Sequence, residues 1–150
     1  NFKICLLSDD NSKYTFFNMG YGSSIFEEQT TLKRQIQEIQ STTLIQELPL
    51  KIKNYNNNLI KLDVQGAELK VLDGLKEYIN FFEIIILEVS LHNYNKDAPL
   101  FDKIMTYMSN KDYKLYDVYD LKRLGGKNSF LTQFDCLFAR NNSDLFKVKF

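Results

Sequence analysis

Cysteine and histidine are scarce in this sequence. Two cysteines, Cys5 and Cys136, and one histidine, His92, are spread over 150 residues. So few thiol and imidazole ligands, so far apart, argue against a structural zinc site, and we expect no metal. Both cysteines lie in apolar, strand-like runs. This placement predicts small buried side chains rather than a disulfide or a nucleophile.

Net charge and long apolar runs are also missing. Lys plus Arg and Asp plus Glu number 19 each, so no net field draws the chain to nucleic acid or to an acidic membrane. No stretch approaches the roughly 18 apolar residues of a membrane span. The apolar run at the start is too short for a signal peptide. We therefore expect a cytoplasmic protein with no nucleic-acid partner and no membrane span.

Three further patterns are absent. There is no internal repeat or low-complexity linker, and 150 residues suit one domain. There is no Gly-x-Gly-x-x-Gly turn, because Gly20 and Gly22 are followed by serines in a polar loop. There is no Asp-x-Asp signature, which makes a nucleotide-sugar transferase the weakest alternative. The chain opens in a strand-like run without an initiator Met, so we expect a piece of a longer parent.

Apolar periodicity predicts a mixed α/β chain that ends in a hairpin. Strands are predicted at residues 2–7, 14–18, 59–64, 84–89, 113–119 and 130–140. A weak helical stripe covers residues 31–40. A clearer helix covers residues 66–73, with Gly74 as a left-handed cap and another turn or two at 75–79. A further helix is capped by Asp97, has Pro99 in its first turn, and has an inner face made of Phe101, Ile104, Met105 and Met108.

The second half alternates strand, helix, strand, helix, strand, strand. This order is typical of the second half of a doubly wound α/β sheet, mostly parallel, with an antiparallel last strand. Class I methyltransferases, which have a Rossmann-like fold, end in this way. That likeness is one of fold alone and does not decide function.

A sequence motif carries a more specific resemblance. Residues 60–68 read Ile-Lys-Leu-Asp-Val-Gln-Gly-Ala-Glu and are followed by Val-Leu-Asp-Gly at 71–74. This stretch resembles the central motif of FkbM-type methyltransferases. Residues 86–90, 113–118 and 133–140 resemble later family segments in the same order, and residues 6–9 and 22–25 resemble earlier ones more weakly. Two positions depart from the family pattern, because Gln65 stands where Glu is common and Ile45 where Asp is common.

The resemblance implies an enzyme that transfers a methyl group from S-adenosyl-L-methionine to a hydroxyl of a sugar, glycan or secondary metabolite. It also implies an earlier Gly-rich turn and an acidic strand end, which this sequence lacks. We therefore expect the 150 residues to be the C-terminal portion of a methyltransferase domain. The alternative from another class is a non-catalytic α/β module that binds a nucleotide or a protein. Homo-oligomerisation is left open.

Four residues are candidates from their placement. Asp63 and Glu88 lie at or near the ends of successive strands, so both carboxylates are expected to face the ligand crevice, in catalytic roles, with Asp63 also touching the cofactor. Asp63 alternatively caps the following helix, and Glu88 alternatively pairs with Lys61. His92 is a candidate base with a suitable pKa range, or a solvated loop residue. Glu68 is a candidate cofactor ligand, or an acid favoured in a first helical turn.

Three further candidates for cofactor binding complete the site. Ser8 and Asp9 close an early strand where related folds touch the adenine, although a plain turn explains them equally well. Gln65 keeps hydrogen-bonding length but lacks the charge of the Glu found in the family.

The absent elements lead to a prediction for the isolated chain. We expect these 150 residues alone to be inactive and not to bind S-adenosylmethionine usefully, because several polar contacts of roughly 0.5–1.5 kcal/mol each are missing. Calorimetric titration measures this directly. Saturable micromolar binding to a monomeric sample would contradict it.

Overall fold

Seven strands form two separate sheets in the computed structural model, which describes residues 2–48, 52 and 57–147. The first sheet has the order β1-β3-β2 and the second the order β4-β5-β7-β6. The strands of the first are β1 (Leu6–Ser8), β2 (Lys13–Asn18) and β3 (Gln35–Thr43). Those of the second are β4 (Asn58–Leu62), β5 (Phe82–Ser90), β6 (Tyr113–Leu124) and β7 (Phe130–Arg140).

Strand direction in the second sheet agrees with the sequence pattern. β4 and β5 are parallel, and β7 is antiparallel to both β5 and β6. β4, β5 and β6 therefore point the same way. β7 lies between β5 and β6 and runs in the opposite direction. The expected single sheet is wrong for the first half of the chain. There β1 pairs in parallel with β3, and β2 pairs antiparallel with β3, as a sheet of its own.

The helices are short and lie between the strands. They are α1 (Leu44–Glu47), α2 (Glu68–Asp73) and α3 (Phe101–Asn110). Short 3-10 helices cover Gly20–Gly22, Lys76–Phe81, Gly126–Asn128 and Asp144–Phe146. No helix in the described part of the chain is long and apolar enough to cross a membrane.

The core lies between the second sheet and the helices α2 and α3. β5 contributes the fully buried Ile85 and Leu87. Its almost continuous apolar sequence is typical of a strand that is covered on both faces of the sheet. The predicted inner face of α3 is confirmed: Ile104 and Met108 are buried, and Phe101 and Met105 pack against the core. Tyr113 is buried as well, and its hydroxyl lies within hydrogen-bond distance of the backbone carbonyls of Ile79 and of Phe82, the first residue of β5.

The helical stripe predicted at residues 31–40 is wrong. Residues from Gln35 onward form β3 and pair with all six residues of β2. Ile36 is 65% exposed, so the spacing that resembled a helix face has no core to pack against. Backbone pairing with β2 decides the conformation instead, because tertiary context overrides a weak helical propensity.

Two predicted caps and one predicted burial are also wrong. Gly74 is not left-handed, since its φ is −65°. Asp97 has a φ of 63° in a turn, and α3 begins later, after Leu100. Cys5 is exposed because β1 begins only at Leu6, whereas Cys136 is buried in β7 as predicted, and both cysteines are free.

Candidate functional site

A cavity of about 520 Å³ opens where the C-terminal ends of β4 and β5 meet the β6–β7 hairpin. Its size falls within the roughly 300–1,000 Å³ of small-molecule sites. Three of the predicted site residues, Gln65, Glu88 and His92, line it. The crevice expected at the ends of parallel strands is therefore present.

Glu88 is held in an ion pair. Its side chain is buried, and Oε1 accepts from the ammonium of Lys122 on β6. The alternative that Glu88 pairs with Lys61 is wrong, because Lys61 bonds instead to Asp135 on β7 at 2.6 Å. Lys61 lies opposite Ile86 in the register, so its side chain reaches past β5 to the next strand. Glu88 and Asp135 are both buried, and each is paired with its own lysine.

Gln65 connects the two candidate carboxylates. Its Nε2 donates to Glu88 Oε2 at 2.9 Å and to Asp63 Oδ1 at 3.0 Å. Its backbone has a φ of 52°, and its carbonyl accepts from Ser24 and Asn95. An amide at this position supplies a donor that a glutamate lacks. The departure from the family pattern therefore places a neutral bridge between two anions.

Asp63 is exposed and lines a second, smaller cavity of about 220 Å³. Leu7, Ile25 and Val64 supply much of the apolar lining there. The helix-capping alternative is not what the structure shows, because α2 follows Ala67 with no side-chain cap and the loop amides bond to Glu68. The expectation that both carboxylates face one crevice is therefore wrong: Asp63 and Glu88 line separate cavities, and Gln65 bonds to both.

His92 lies at the rim of the larger cavity. Its Nε2 is 3.2 Å from the carbonyl oxygen of Leu131, and its ring meets Phe130 edge to face. Because a carbonyl only accepts, Nε2 carries the hydrogen and Nδ1 is the basic nitrogen of the neutral ring. The residue is exposed. Its role as a base stays a prediction.

Glu68 is fully buried behind the loop that carries Asp63. Its Oε1 accepts from the backbone N–H groups of Val64 at 3.0 Å and Gly66 at 3.2 Å. Burial raises the pKa of Glu68 to about 7, more than these hydrogen bonds lower it, and the negative charge of Glu88 adds to the rise. The side chain holds the shape of the loop, and cofactor contact stays a prediction.

The raised pKa of Glu68 predicts a pH-dependent stability. The folded pKa of about 7 exceeds the reference value of 4.5, so the folded state holds the proton more tightly. Its contribution to the free energy of unfolding is complete below pH 4.5 and is lost as pH rises to about 7, by roughly 3 kcal/mol. We expect Glu68→Gln to flatten this part of the profile, as measured by urea unfolding at pH 5 and pH 8. A variant with the wild-type slope would contradict this expectation.

Ser8 and Asp9 are tied to α2. Asp9 accepts from the hydroxyls of Ser8 and Tyr14, each at 2.8 Å, and pairs with Lys70 at 3.1 Å. Burial opposes ionisation of Asp9, but these hydrogen bonds outweigh it and lower its pKa to about 2. The pair joins the first sheet to α2, and contact with an adenine stays a prediction.

Glu28 is a site residue that the sequence did not single out. It lines the larger cavity and is only 4% exposed. Its neighbours in sequence are polar and form no regular element, so no periodicity marks it. An isolated antiparallel bridge between Glu28 and Asn95 brings it to the site. Within the described ranges, no group of three or more His, Cys, Asp or Glu is placed to hold a metal ion.

Comparison with known protein families assigns the chain to one of them. A sequence model of the methyltransferase FkbM domain matches residues 4–115, which is most of the chain. The chain therefore belongs to the FkbM methyltransferase domain family. Neither the curated proteins nor the solved structures provide a significant match.

Proposed function

We propose that this protein is an S-adenosylmethionine-dependent O-methyltransferase acting on a hydroxyl of a sugar, glycan or secondary metabolite. The observation that supports it most is a ligand-sized cavity, lined by Gln65, Glu88 and His92, in a chain of the FkbM family. The Rossmann-like class of the fold is part of the same proposal. It rests on the order of the second sheet and its inserted antiparallel strand.

The surroundings of Asp63 fit part of the cofactor. The smaller cavity combines one exposed carboxylate with the apolar side chains of Leu7, Ile25 and Val64. A carboxylate accepts hydrogen bonds from hydroxyl or ammonium groups, and apolar walls suit a flat ring or a hydrocarbon chain. When bound, S-adenosylmethionine supplies a methyl group activated by a sulfonium. At about 220 Å³ the cavity takes only a portion of such a molecule.

The larger cavity has the character of an acceptor site. Tyr21, Tyr94 and Phe130 line it beside the charged and amide groups. Aromatic faces pack against the apolar faces of sugar rings, while carboxylates and amides bind hydroxyls. Gln65 bonds to Asp63 in the smaller cavity and to Glu88 in the larger one. We expect it to fix the position of the acceptor site relative to the cofactor site.

The experiment is methyl transfer by the full-length protein. S-adenosylmethionine labelled in its methyl group is incubated with a panel of methyl glycosides, and products are read by mass spectrometry. Transfer to a ring hydroxyl supports the proposal. Cofactor binding without transfer to any glycoside contradicts the sugar acceptor, and failure to bind the cofactor favours the non-catalytic alternative.

A further inference from the structure

We propose that Glu28 is the general base that takes the proton of the acceptor hydroxyl, with Tyr94 positioning its carboxylate. The inference deepens the proposed function and rests on it. Glu28 is a buried carboxylate in the larger cavity, and its side-chain hydrogen-bond partners are both neutral.

The partners of Glu28 leave one oxygen open. Oε1 accepts from the hydroxyls of Thr30 and Tyr94, the latter at 2.9 Å. Over residues 2–48, 52 and 57–147, no donor bonds to Oε2 and no lysine or arginine pairs with the carboxylate. Arg34 reaches the backbone carbonyl of Glu28 and the carboxylate of Glu27 instead. A buried carboxylate without a cation is costly unless it has a use.

The other acids and bases of the cavity are less suited to this role. Glu88 is bound by Lys122 through Oε1 and by Gln65 through Oε2, so protonating it would break a buried ion pair. Asp63 lines the other cavity. His92 lies exposed at the rim. Glu28 alone combines burial, a free oxygen and partners that tolerate either protonation state.

Tyr94 keeps Glu28 in place. Burial first, and then the hydrogen bond to Glu28, raise the pKa of Tyr94, so its phenol stays protonated and continues to donate. Backbone bonds fix the two loops together, from Gln29 N–H to the Tyr94 carbonyl and from Lys96 N–H to the Glu27 carbonyl, both at 2.8 Å. The carboxylate therefore needs no rearrangement when a substrate arrives.

Gly22 leaves room beside the open oxygen. A Cβ at this position would lie 3.0 Å from Glu28 Oε2, which is too close without displacing the carboxylate. Gly22 also lines the cavity, so Oε2 lies on the cavity side. An alanine there narrows access to the oxygen while leaving every charge unchanged.

The proposed step balances as a single displacement. A lone pair of the acceptor hydroxyl oxygen forms the new bond to the methyl carbon of S-adenosylmethionine. The carbon–sulfur bond breaks, and its electron pair stays on sulfur, which becomes a neutral thioether. The hydroxyl proton moves to Glu28 Oε2, and the resulting carboxylic acid keeps its hydrogen bonds from Tyr94 and Thr30 through Oε1.

The test uses the full-length protein, labelled S-adenosylmethionine and a panel of methyl glycosides as acceptor probes. Glu28→Gln keeps size and one acceptor oxygen but cannot take a proton. We expect its kcat to fall about 10²–10⁴-fold with little change in KM for the glycoside. Gly22→Ala is expected to lower kcat/KM about tenfold. Glu27→Gln is the matched control, because it makes the same change at an exposed neighbour that pairs with Arg34.

The outcomes separate the base from the proposed function. A wild-type protein that methylates no glycoside defeats both the sugar acceptor and the base assigned to it. An active wild type with Glu28→Gln within threefold of its kcat overturns the role of Glu28 alone. So does an equal loss in Glu27→Gln, or a loss confined to His92→Ala. Melting curves of each variant show whether a loss of kcat comes from unfolding. If Glu28→Gln is unfolded, Gly22→Ala is the test instead: a folded Gly22→Ala with the kcat/KM of the wild type overturns the role of Glu28.

Discussion

Replacing Gly74 by alanine is expected to lower the free energy of unfolding by about 3 kcal/mol, which is at the upper end of the cost of overpacking. A Cβ on residue 74 would lie 2.3 Å from the carbonyl oxygen of Ser8 and 3.2 Å from that of Val71. Both are backbone atoms, so no side-chain rotation relieves the clash. β1 and α2 would have to separate.

Thermal and urea unfolding measure this effect. For a chain of this size the melting temperature is expected to fall by about 6–12 °C. Gly126→Ala is the control. A Cβ on residue 126 would meet no other atom within 4 Å, so the cost comes only from a φ of +54°, which is worth about 1–2 kcal/mol. Equal losses of unfolding free energy in the two variants would show that the close contact between β1 and α2 at Gly74 does not exist in solution.

The contact at Gly74 also shows how far the sequence could predict the fold. The sequence predicts that a helix ends at Gly74, and α2 does end at Asp73. The reason for the glycine was different, since contact with β1 depends on residues more than sixty positions earlier in the chain. Local patterns reveal where a helix stops, but a close approach between distant segments leaves no periodic signal.

The strands of the second sheet were predictable for a physical reason. Residues 84–89 are almost entirely apolar and β-branched, and this composition is typical of a strand buried on both faces. The observed β5 and β7 agree closely with the predicted ranges. β6 was predicted to stop at Tyr119 but continues to Leu124. Its last five residues are exposed and carry no buried apolar pattern, and pairing with β7 keeps part of this end in a strand.

That extension explains why part of the site was missed. Lys122 lies in the unpredicted end of β6, opposite Gln133 in β7, and so its pairing with Glu88 was not expected. The choice of Lys61 followed from adjacency of β4 and β5 alone. Sequence patterns identified the carboxylates, because charges next to apolar runs are conspicuous. Their partners depend on register across two strands, which no local pattern specifies.

Asp63→Asn in the full-length protein is expected to reduce kcat/KM for S-adenosylmethionine about 10–150-fold, with a change in unfolding free energy below about 0.5 kcal/mol. Asp63 is exposed beside the smaller cavity, and an asparagine still offers an oxygen to Gln65 Nε2. The substitution therefore keeps the shape of the loop and removes one charge. Hydrogen bonds to a charged group contribute roughly 1.5–3 kcal/mol, which sets the size of the expected loss.

Asp73→Asn provides the comparison, because it makes the same change at the other end of α2. Asp73 accepts from the hydroxyl of Tyr107 at 2.7 Å and lines neither the larger cavity nor the one beside Asp63. Steady-state kinetics and melting curves of both variants distinguish a ligand contact from a structural one. If Asp63→Asn loses activity and melting temperature together, or loses no more activity than Asp73→Asn, then Asp63 supports the fold rather than the cofactor. A selective loss would place the cofactor on the β4 side of Gln65, leaving the cavity around Glu28 for the acceptor.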